Sequence, residues 1–427
     1  MDTARATNLD EAARQTLQEL QAAGLRRSLR IVGQPRGTHL ELAGREVVNF
    51  SSNDYLGLAT SADLKAVMQE GVERFGVGSG ASRLVCGNHQ PHELLESTLA
   101  DFKGTAAALA FSSGYATAVG VIPSVVGPGD IIILDKLSHA SLIDAAKLSG
   151  ATIRVFPHNH LGKLERLLAG AREKNVASTR VLVVTESIFS MDGDAAPLAE
   201  IVALKERHGA WLLVDEAHGV GVLGPQGRGY LAALGLEKRV ELQMGTLSKA
   251  LGVSGGYVTA SREVCDLLIN KARSLIYSTA PPPAVALTAH RAVELVRSSH
   301  GDALRARLLA NKDLLSRLLA AGATTPKERR LQSPVDATPD FPPLPAAIQP
   351  LIIGNETEAV QASAALLEAG YLIPAIRYPT VARGQARLRL TLSAAHEAGE
   401  IEGLVACLHH LMPQLRLGAH DPGGEDA

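Results

Sequence analysis

Between about Thr105 and Ala260, short apolar runs bounded by turn residues alternate with longer stretches whose apolar positions recur every three to four residues. That alternation is the pattern of strands joined by crossover helices. The runs predict strands at Ala106–Phe111, Ile131–Leu134, Thr152–Phe156, Val181–Thr185, Trp211–Asp215, Glu241–Met244 and Gly256–Thr259. Several of them, VLVVT and WLLVD among them, are apolar without alternation, as strands covered on both faces must be. The expected fold is therefore α/β: a mostly parallel seven-stranded sheet sandwiched by helices.

Helical spacing predicts crossover helices at Leu161–Lys174 and Leu198–His208, the second starting at Pro197. Upstream, Asp10–Ala23 reads as an amphipathic helix leading to Arg26–Arg27, and Leu40–Phe50 as a hairpin turning at Ala43–Gly44. Beyond Pro281–Pro283 a long Ala/Leu/Arg helix runs to about Leu319, followed by a glycine-free stretch, Ala323–Ala346, with six prolines, read as a surface loop. Ile348–Ile353, a helix at Thr357–Ala369, a strand at Ala386–Leu392 and a helix at Ala398–Leu411 complete a smaller α+β unit. The expected organisation is an N-terminal arm (1–52), a large domain (53–285), a small C-terminal domain (286–415) containing the proline-rich insert 323–346, and a disordered tail (416–427).

Composition narrows the function. Lys plus Arg (42) nearly balance Asp plus Glu (44) over 427 residues, and no basic run marks a polyanion site, so no nucleic-acid partner is expected. No apolar stretch approaches the roughly 18–20 residues that span a bilayer, and no membrane partner is expected. The start, MDTARATNLDEAARQ, lacks the apolar core of a secretory signal, which predicts a cytoplasmic protein. Cys86, Cys265 and Cys407 lie far apart without a CxxC pair, so neither a disulfide framework nor a metal site is expected.

The chemistry concentrates at predicted strand ends. Leu212-Leu213-Val214-Asp215-Glu216-Ala217-His218 is an apolar strand closed by a carboxylate and an imidazole, and ligands of open parallel sheets bind beyond such ends. Taken alone, these letters also describe a helix-capping aspartate beside a surface histidine, or a helicase box. The helicase reading needs an upstream GxxxxGK phosphate loop, and the chain has none. Gly245-Thr246-Leu247-Ser248-Lys249-Ala250-Leu251-Gly252 sets a lysine, in a segment with no other charge, among small residues. It is either a solvated loop lysine or an amine poised for a Schiff base, with the Thr246 and Ser248 hydroxyls available to a phosphate. Phe111-Ser112-Ser113-Gly114-Tyr115 is a strand, turn and helix start whose free amides suit a phosphate. His139 follows another strand and offers a ring to stack on a planar cofactor, and Glu186-Ser187-Ile188-Phe189-Ser190 follows the VLVVT strand. A phosphate cradle, a stacking ring, a polar cluster, an anion for a pyridinium and an amine for an aldehyde are together the requirements of pyridoxal 5'-phosphate.

At these motifs, and over about Arg26 to His410, the sequence resembles the α-oxoamine synthases, a family of pyridoxal-phosphate enzymes of fold type I. Phe50-Ser51-Ser52-Asn53-Asp54-Tyr55-Leu56-Gly57-Leu58, Ala347–Gly354 and Ala386–Glu397 are most similar to the branch that condenses L-alanine with a pimeloyl thioester, carried by coenzyme A or a carrier protein, in biotin biosynthesis. Glycine C-acetyltransferase, 5-aminolevulinate synthase and serine palmitoyltransferase share the cofactor chemistry and stand as alternatives. A catalytically silent module is a further one, against which Lys249, Asp215 and Arg389 all speak.

The resemblance implies that Lys249 binds the cofactor covalently and later transfers protons, that Asp215 pairs with the pyridine nitrogen, and that His139 stacks on the ring. It implies cofactor contacts for His218, Ser190 and Thr246, a phosphate turn at Ser113, Gly114 and Tyr115, and Glu186 in the same pocket. Thr279 matches a position that reaches a phosphate across a homodimer interface, so that two copies share each site. Arg389 matches the arginine that clamps the amino-acid carboxylate, with Asn53 near the amino acid. Arg26 and Thr380 match acyl-substrate positions, although Arg26 beside Arg27 reads equally well as a surface charge. Where the branch has Arg-Pro-Pro-Thr-Val-Pro, this chain has Arg377-Tyr378-Pro379-Thr380-Val381-Ala382.

Overall fold

The structure, a computed structural model, describes residues 8–173, 179–322 and 347–411. The proline-rich insert 323–346 and the tail 416–427 lie outside the described residues. The hairpin forms as predicted from β1 (His39–Leu42) and β2 (Arg45–Asn49). Ala43 and Gly44 both take positive φ at its turn (53° and 78°), the backbone twist that a two-residue hairpin loop requires.

The seven predicted strands are β3 (Ala107–Phe111), β4 (Ile131–Asp135), β5 (Thr152–Phe156), β6 (Val181–Glu186), β7 (Trp211–Asp215), β8 (Leu242–Thr246) and β9 (Gly256–Ala260). They form one sheet in the order β3-β9-β8-β7-β6-β4-β5, in which β9 alone runs antiparallel to its neighbours. The order reverses direction around β4 and β6, so successive crossovers bury both faces. One face packs on helices Gly114–Val125, Ala140–Ser149 and Arg262–Lys271. The other shares a continuous apolar core with the C-terminal unit through Leu388, Leu390, Leu404 and Leu408. That unit holds a second sheet of β10 (Ile348–Gly354), β12 (Ala375–Ile376) and β13 (Ala386–Thr391), and β11 (Tyr371–Leu372) extends the hairpin.

Three expectations shift. The long helix after Pro283 is two helices, Pro283–Arg297 and Ser299–Gly322. Ser298 between them is extended (φ −84°, ψ 173°), and its hydroxyl bonds the Leu295 carbonyl and the His300 amide, the local competition that serine offers a helix. Pro197 caps the helix Leu198–Arg207 from just outside instead of opening it. The N-terminal helix, Leu9–Ala22, buries no residue in the single chain.

Candidate active site

Parallel pairing of β6 with β7 sets Glu186 opposite Asp215 at the carboxyl end of the sheet. Both side chains are buried. Asp215 Oδ1 accepts the Ala217 amide at 2.9 Å, and Glu186 Oε1 accepts the His139 amide at 2.6 Å. Burial pushes the Asp215 carboxyl up, against the pull of Lys249 and the amide bond. Glu186 is pushed well above the usual range, first by burial and then by the charge of Asp215. Lys249 arrives on the loop after β8, and its burial lowers the affinity of its amine for the proton, against the pull of those same two carboxylates. His139 caps the helix Ala140–Ser149, its Nδ1 2.8 Å from Ser141 Oγ, and burial lowers its pKa. The predicted lysine, aspartate, glutamate and histidine thus act on one another in one pocket.

From Lys249 a chain of polar contacts runs to the C-terminal unit. Lys249 Nζ lies 3.0 Å from His218 Nε2, His218 Nδ1 lies 2.6 Å from Tyr55 Oη, and Tyr55 Oη donates to Asn53 Oδ1 at 3.2 Å. Arg389 closes the chain, donating Nη1 and Nη2 to the same Asn53 oxygen at 3.2 and 3.3 Å and Nε to the Ser190 carbonyl at 2.6 Å. Burial and the Lys249 charge hold His218 well below its ordinary pKa, so the imidazole is neutral. With the amine as donor, one tautomer satisfies every group: Nε2 accepts from Lys249, and the Nδ1 proton goes to Tyr55. Burial also pushes the Tyr55 phenol up to about 12, which keeps its proton in place. Arg389 is 5% exposed in a strand that is buried throughout, and among the described residues no carboxylate lies within ion-pair distance of it. Such a cation needs an anion from elsewhere.

On the opposite side, Ser113 caps the helix Gly114–Val125 through its hydroxyl, which accepts the Ala116 amide at 3.0 Å. Thr246 Oγ1 and Ser248 Oγ lie 2.7 Å apart beside that helix start. Gly256 makes the approach possible, since a Cβ there would stand 2.6 Å from the Gly114 nitrogen and 2.5 Å from Thr117 Oγ1. Tyr115 turns outward, its hydroxyl donating to Asp144 at 3.0 Å.

Of the other predicted residues, Ser190 joins through its backbone carbonyl. Arg26, Thr279 and Thr380 are exposed, and among the described residues no hydrogen bond ties them to the network. Thr279 forms a β-bridge with Ser82. Sequence reasoning assigned no role to Tyr55, which stands inside the recognised segment Phe50–Leu58, or to Glu216 beside Asp215. Glu216 turns away from the pocket into a buried ion pair with Lys103 and takes the Leu231 amide at 2.8 Å. One motif therefore serves the site through Asp215 and His218 and the scaffold through Glu216.

A family model described as aminotransferase class I and II matches residues 45–408. The chain is 46% identical to 8-amino-7-oxononanoate synthase of Geobacter sulfurreducens over 93% of its own length and 97% of that protein's. It is 45% identical to 8-amino-7-oxononanoate synthase of Herminiimonas arsenicoxydans over 92% and 97%. Among solved structures it resembles a serine palmitoyltransferase of S. paucimobilis with bound PLP-myriocin aldimine, at TM-score 0.86 and 29% identity over 96% of this chain and all of that one. It also resembles 8-amino-7-oxononanoate synthase of Francisella tularensis, at TM-score 0.70 and 26% identity over 86% and 98%. The fold is that of the pyridoxal-phosphate enzymes of fold type I. Within it, the chain belongs to the aminotransferase class I and II family, in the α-oxoamine synthase group.

Proposed function

We propose that this chain condenses L-alanine with a pimeloyl thioester to give 8-amino-7-oxononanoate, releasing carbon dioxide and the thiol carrier, with pyridoxal 5'-phosphate as cofactor. The donor set suits that cofactor: a buried amine, a buried carboxylate on the next strand and a helix start kept open by Gly256. The bound cofactor supplies an electrophilic aldehyde and a ring that takes up the electron pair of a bond broken at the amino acid's α-carbon.

The chain's residues do the rest. Lys249 would hold the cofactor through its amine and would take and return the α-proton of alanine, tasks that a lowered pKa favours. Asp215 would hold a proton on the pyridine nitrogen of the bound cofactor, and His139 would lie against its ring. The Gly114 and Tyr115 amides bind the phosphate together with the Ser113, Thr246 and Ser248 hydroxyls. Glu186 fixes the His139 backbone through its amide, and His218 orients the Lys249 amine. Arg389 would take the alanine carboxylate with Asn53 beside it, which fixes the orientation of the amino acid in the pocket. Arg26 and Thr380 border the acyl chain.

A homodimer completes the site. Thr279 is exposed next to Ser82, and Val77, Leu84, Val85 and Tyr277, on the two segments that this bridge joins, stand open to solvent. In the pair, Thr279 reaches the phosphate of the other copy. Residues 53–285 form the cofactor-binding unit, and the unit from 286 onward brings Arg389.

The observation that carries this reading is the buried Arg389, without an acidic partner among the described residues and linked through Asn53, Tyr55 and His218 to Lys249. Purified enzyme with added pyridoxal phosphate is to be given alanine or glycine together with pimeloyl- or acetyl-CoA, and thiol release followed. Turnover is expected for alanine with pimeloyl-CoA, and the visible absorbance of the bound cofactor disappears in Lys249→Ala. Turnover with glycine and acetyl-CoA alone overturns the substrate assignment.

A further inference from the structure

Beside the pocket lies a hydrogen-bonded polar cluster that none of the proposed steps uses. Asp135, fully buried at the end of β4, accepts the Leu137 and Asn159 amides at 2.8 and 3.0 Å. His158, just past β5, places Nδ1 3.1 Å from Asp135 Oδ1 and Nε2 2.8 Å from Asp194 Oδ2. Asn159 Nδ2 donates to the same Asp194 oxygen at 3.1 Å. A carboxylate at each nitrogen means that both nitrogens carry protons, and the ring is an imidazolium. Burial works against that charge, but the two carboxylates prevail and raise the pKa to about 10.

Asp194 belongs to a tight turn that leaves the sheet after Glu186. The turn closes on itself through the Ile188–Ala195 bridge and through bonds from the Phe189 and Gly193 amides to the Asp194 and Phe189 carbonyls, both 2.9 Å. The His158 ring meets the Phe189 ring edge-on at 4.3 Å. The far side of the turn faces β13. There the Ser190 carbonyl accepts Arg389 Nε at 2.6 Å, and Asp192 pairs with Arg387 at 2.5 Å. Gly193, with φ 72°, sits so close to β10 that a Cβ would fall 2.7 Å from the Ile348 carbonyl. The turn is thus held by His158 on one side and holds Arg389 on the other.

We infer that His158 is a positioning residue for the amino-acid substrate: clamped between Asp135 and Asp194, it fixes the 187–195 turn so that the Ser190 carbonyl aims the Arg389 guanidinium at the substrate carboxylate. The inference rests on the reading of Arg389 as the carboxylate clamp. A neutral residue at 158 leaves two carboxylates facing each other, and their repulsion displaces the turn that carries Ser190.

The test uses the holoenzyme and two readouts, the dissociation constant of L-alanine from the change in cofactor absorbance, and the KM of each substrate. His158→Gln is expected to weaken alanine binding and raise its KM about tenfold, with the thioester KM within about twofold of the parent enzyme. In an Arg389→Lys background the same change is expected to add no further weakening, because both act through one guanidinium. Alanine binding within about twofold of the parent in His158→Gln overturns the inference, as do losses that multiply in the double variant. If Arg389→Lys alone leaves alanine binding unchanged, the clamp reading itself has failed and the inference goes with it. Should His158→Gln not fold, Asp194→Asn, which keeps the shape and removes one charge, decides by the same comparison.

Discussion

Lys103 and Glu216 meet almost wholly out of water, whereas Arg389, nearly as buried, has no carboxylate within ion-pair distance among the described residues. The first pair meets its own desolvation cost and marks scaffold; the second leaves a charge that the proposed reaction assigns to the substrate carboxylate. His158 is a third case, a cation shared by two acids. Its pKa in the folded chain, about 10, exceeds the unfolded value of about 6.5, so it contributes stability that is complete below pH of about 6.5 and is lost as pH climbs toward 10. Denaturant midpoints measured between pH 6.5 and 9.5 are expected to fall more steeply in the parent chain than in His158→Gln; parallel slopes in the two chains refute the shared-cation assignment. Lys249, Asp215 and Arg389 were legible in the sequence because each is a charge set in an apolar or small-residue run. Tyr55 and His158 were not, since what gives them meaning is a partner 163 residues away for one and Asp194, 36 residues on, for the other. Composition along the chain carries no trace of such pairings.

Among elements, the central strands β4, β6 and β7 were readable to within a residue or two because burial on both faces keeps their middles apolar, and the largely exposed edge strand β5 was readable from the turns that bound it. The two-residue strands Tyr371–Leu372 and Ala375–Ile376 were not, being too short to show a period, and helices Ala62–Phe75 and Gln90–Lys103 went unassigned. Nor does periodicity reveal close approaches between elements, and the site depends on one. Gly256 opens β9 against the first residues of helix Gly114–Val125, where the atoms crowding a new Cβ would be mostly backbone and cannot swing aside. Gly256→Ala must therefore push the helix start away from Thr246 and Ser248. The expected result is a folded protein that loses pyridoxal phosphate on dialysis, with an affinity for it at least about tenfold weaker, measured by cofactor absorbance against free concentration. Undiminished cofactor affinity in that variant removes the helix start from the proposed phosphate site.

At the scale of the molecule, the sheet supplies Lys249, Asp215 and Glu186 from its carboxyl edge, while Arg389 arrives on a separate sheet that shares the core of one face. The single chain leaves several parts without a partner. Helix Leu9–Ala22 buries nothing, Leu29 and Ile31 on the segment after it are open to water, and Val77, Val85 and Tyr277 (81%, 77% and 72% exposed) stand on the two segments that the Ser82–Thr279 bridge joins. Large exposed apolar side chains are what an association surface presents, and these stand on the two segments that meet at Thr279, the residue proposed to reach the other copy's phosphate. Sedimentation at micromolar concentration is expected to give a dimer of 44.9 kDa chains. Val85→Glu sets a charge at one of these exposed apolar positions, outside the polar network of its own chain's pocket, so it is expected to yield folded monomers with little turnover. Mixing a Val85-intact, Lys249→Ala chain with a Thr279→Ala chain tests the sharing directly. A mixed dimer then holds one site with Lys249 from one copy and Thr279 from the other, and activity above that of either parent is expected. Full activity in a monomeric Val85→Glu protein refutes the shared site, because each chain would then bind the phosphate without help from a second.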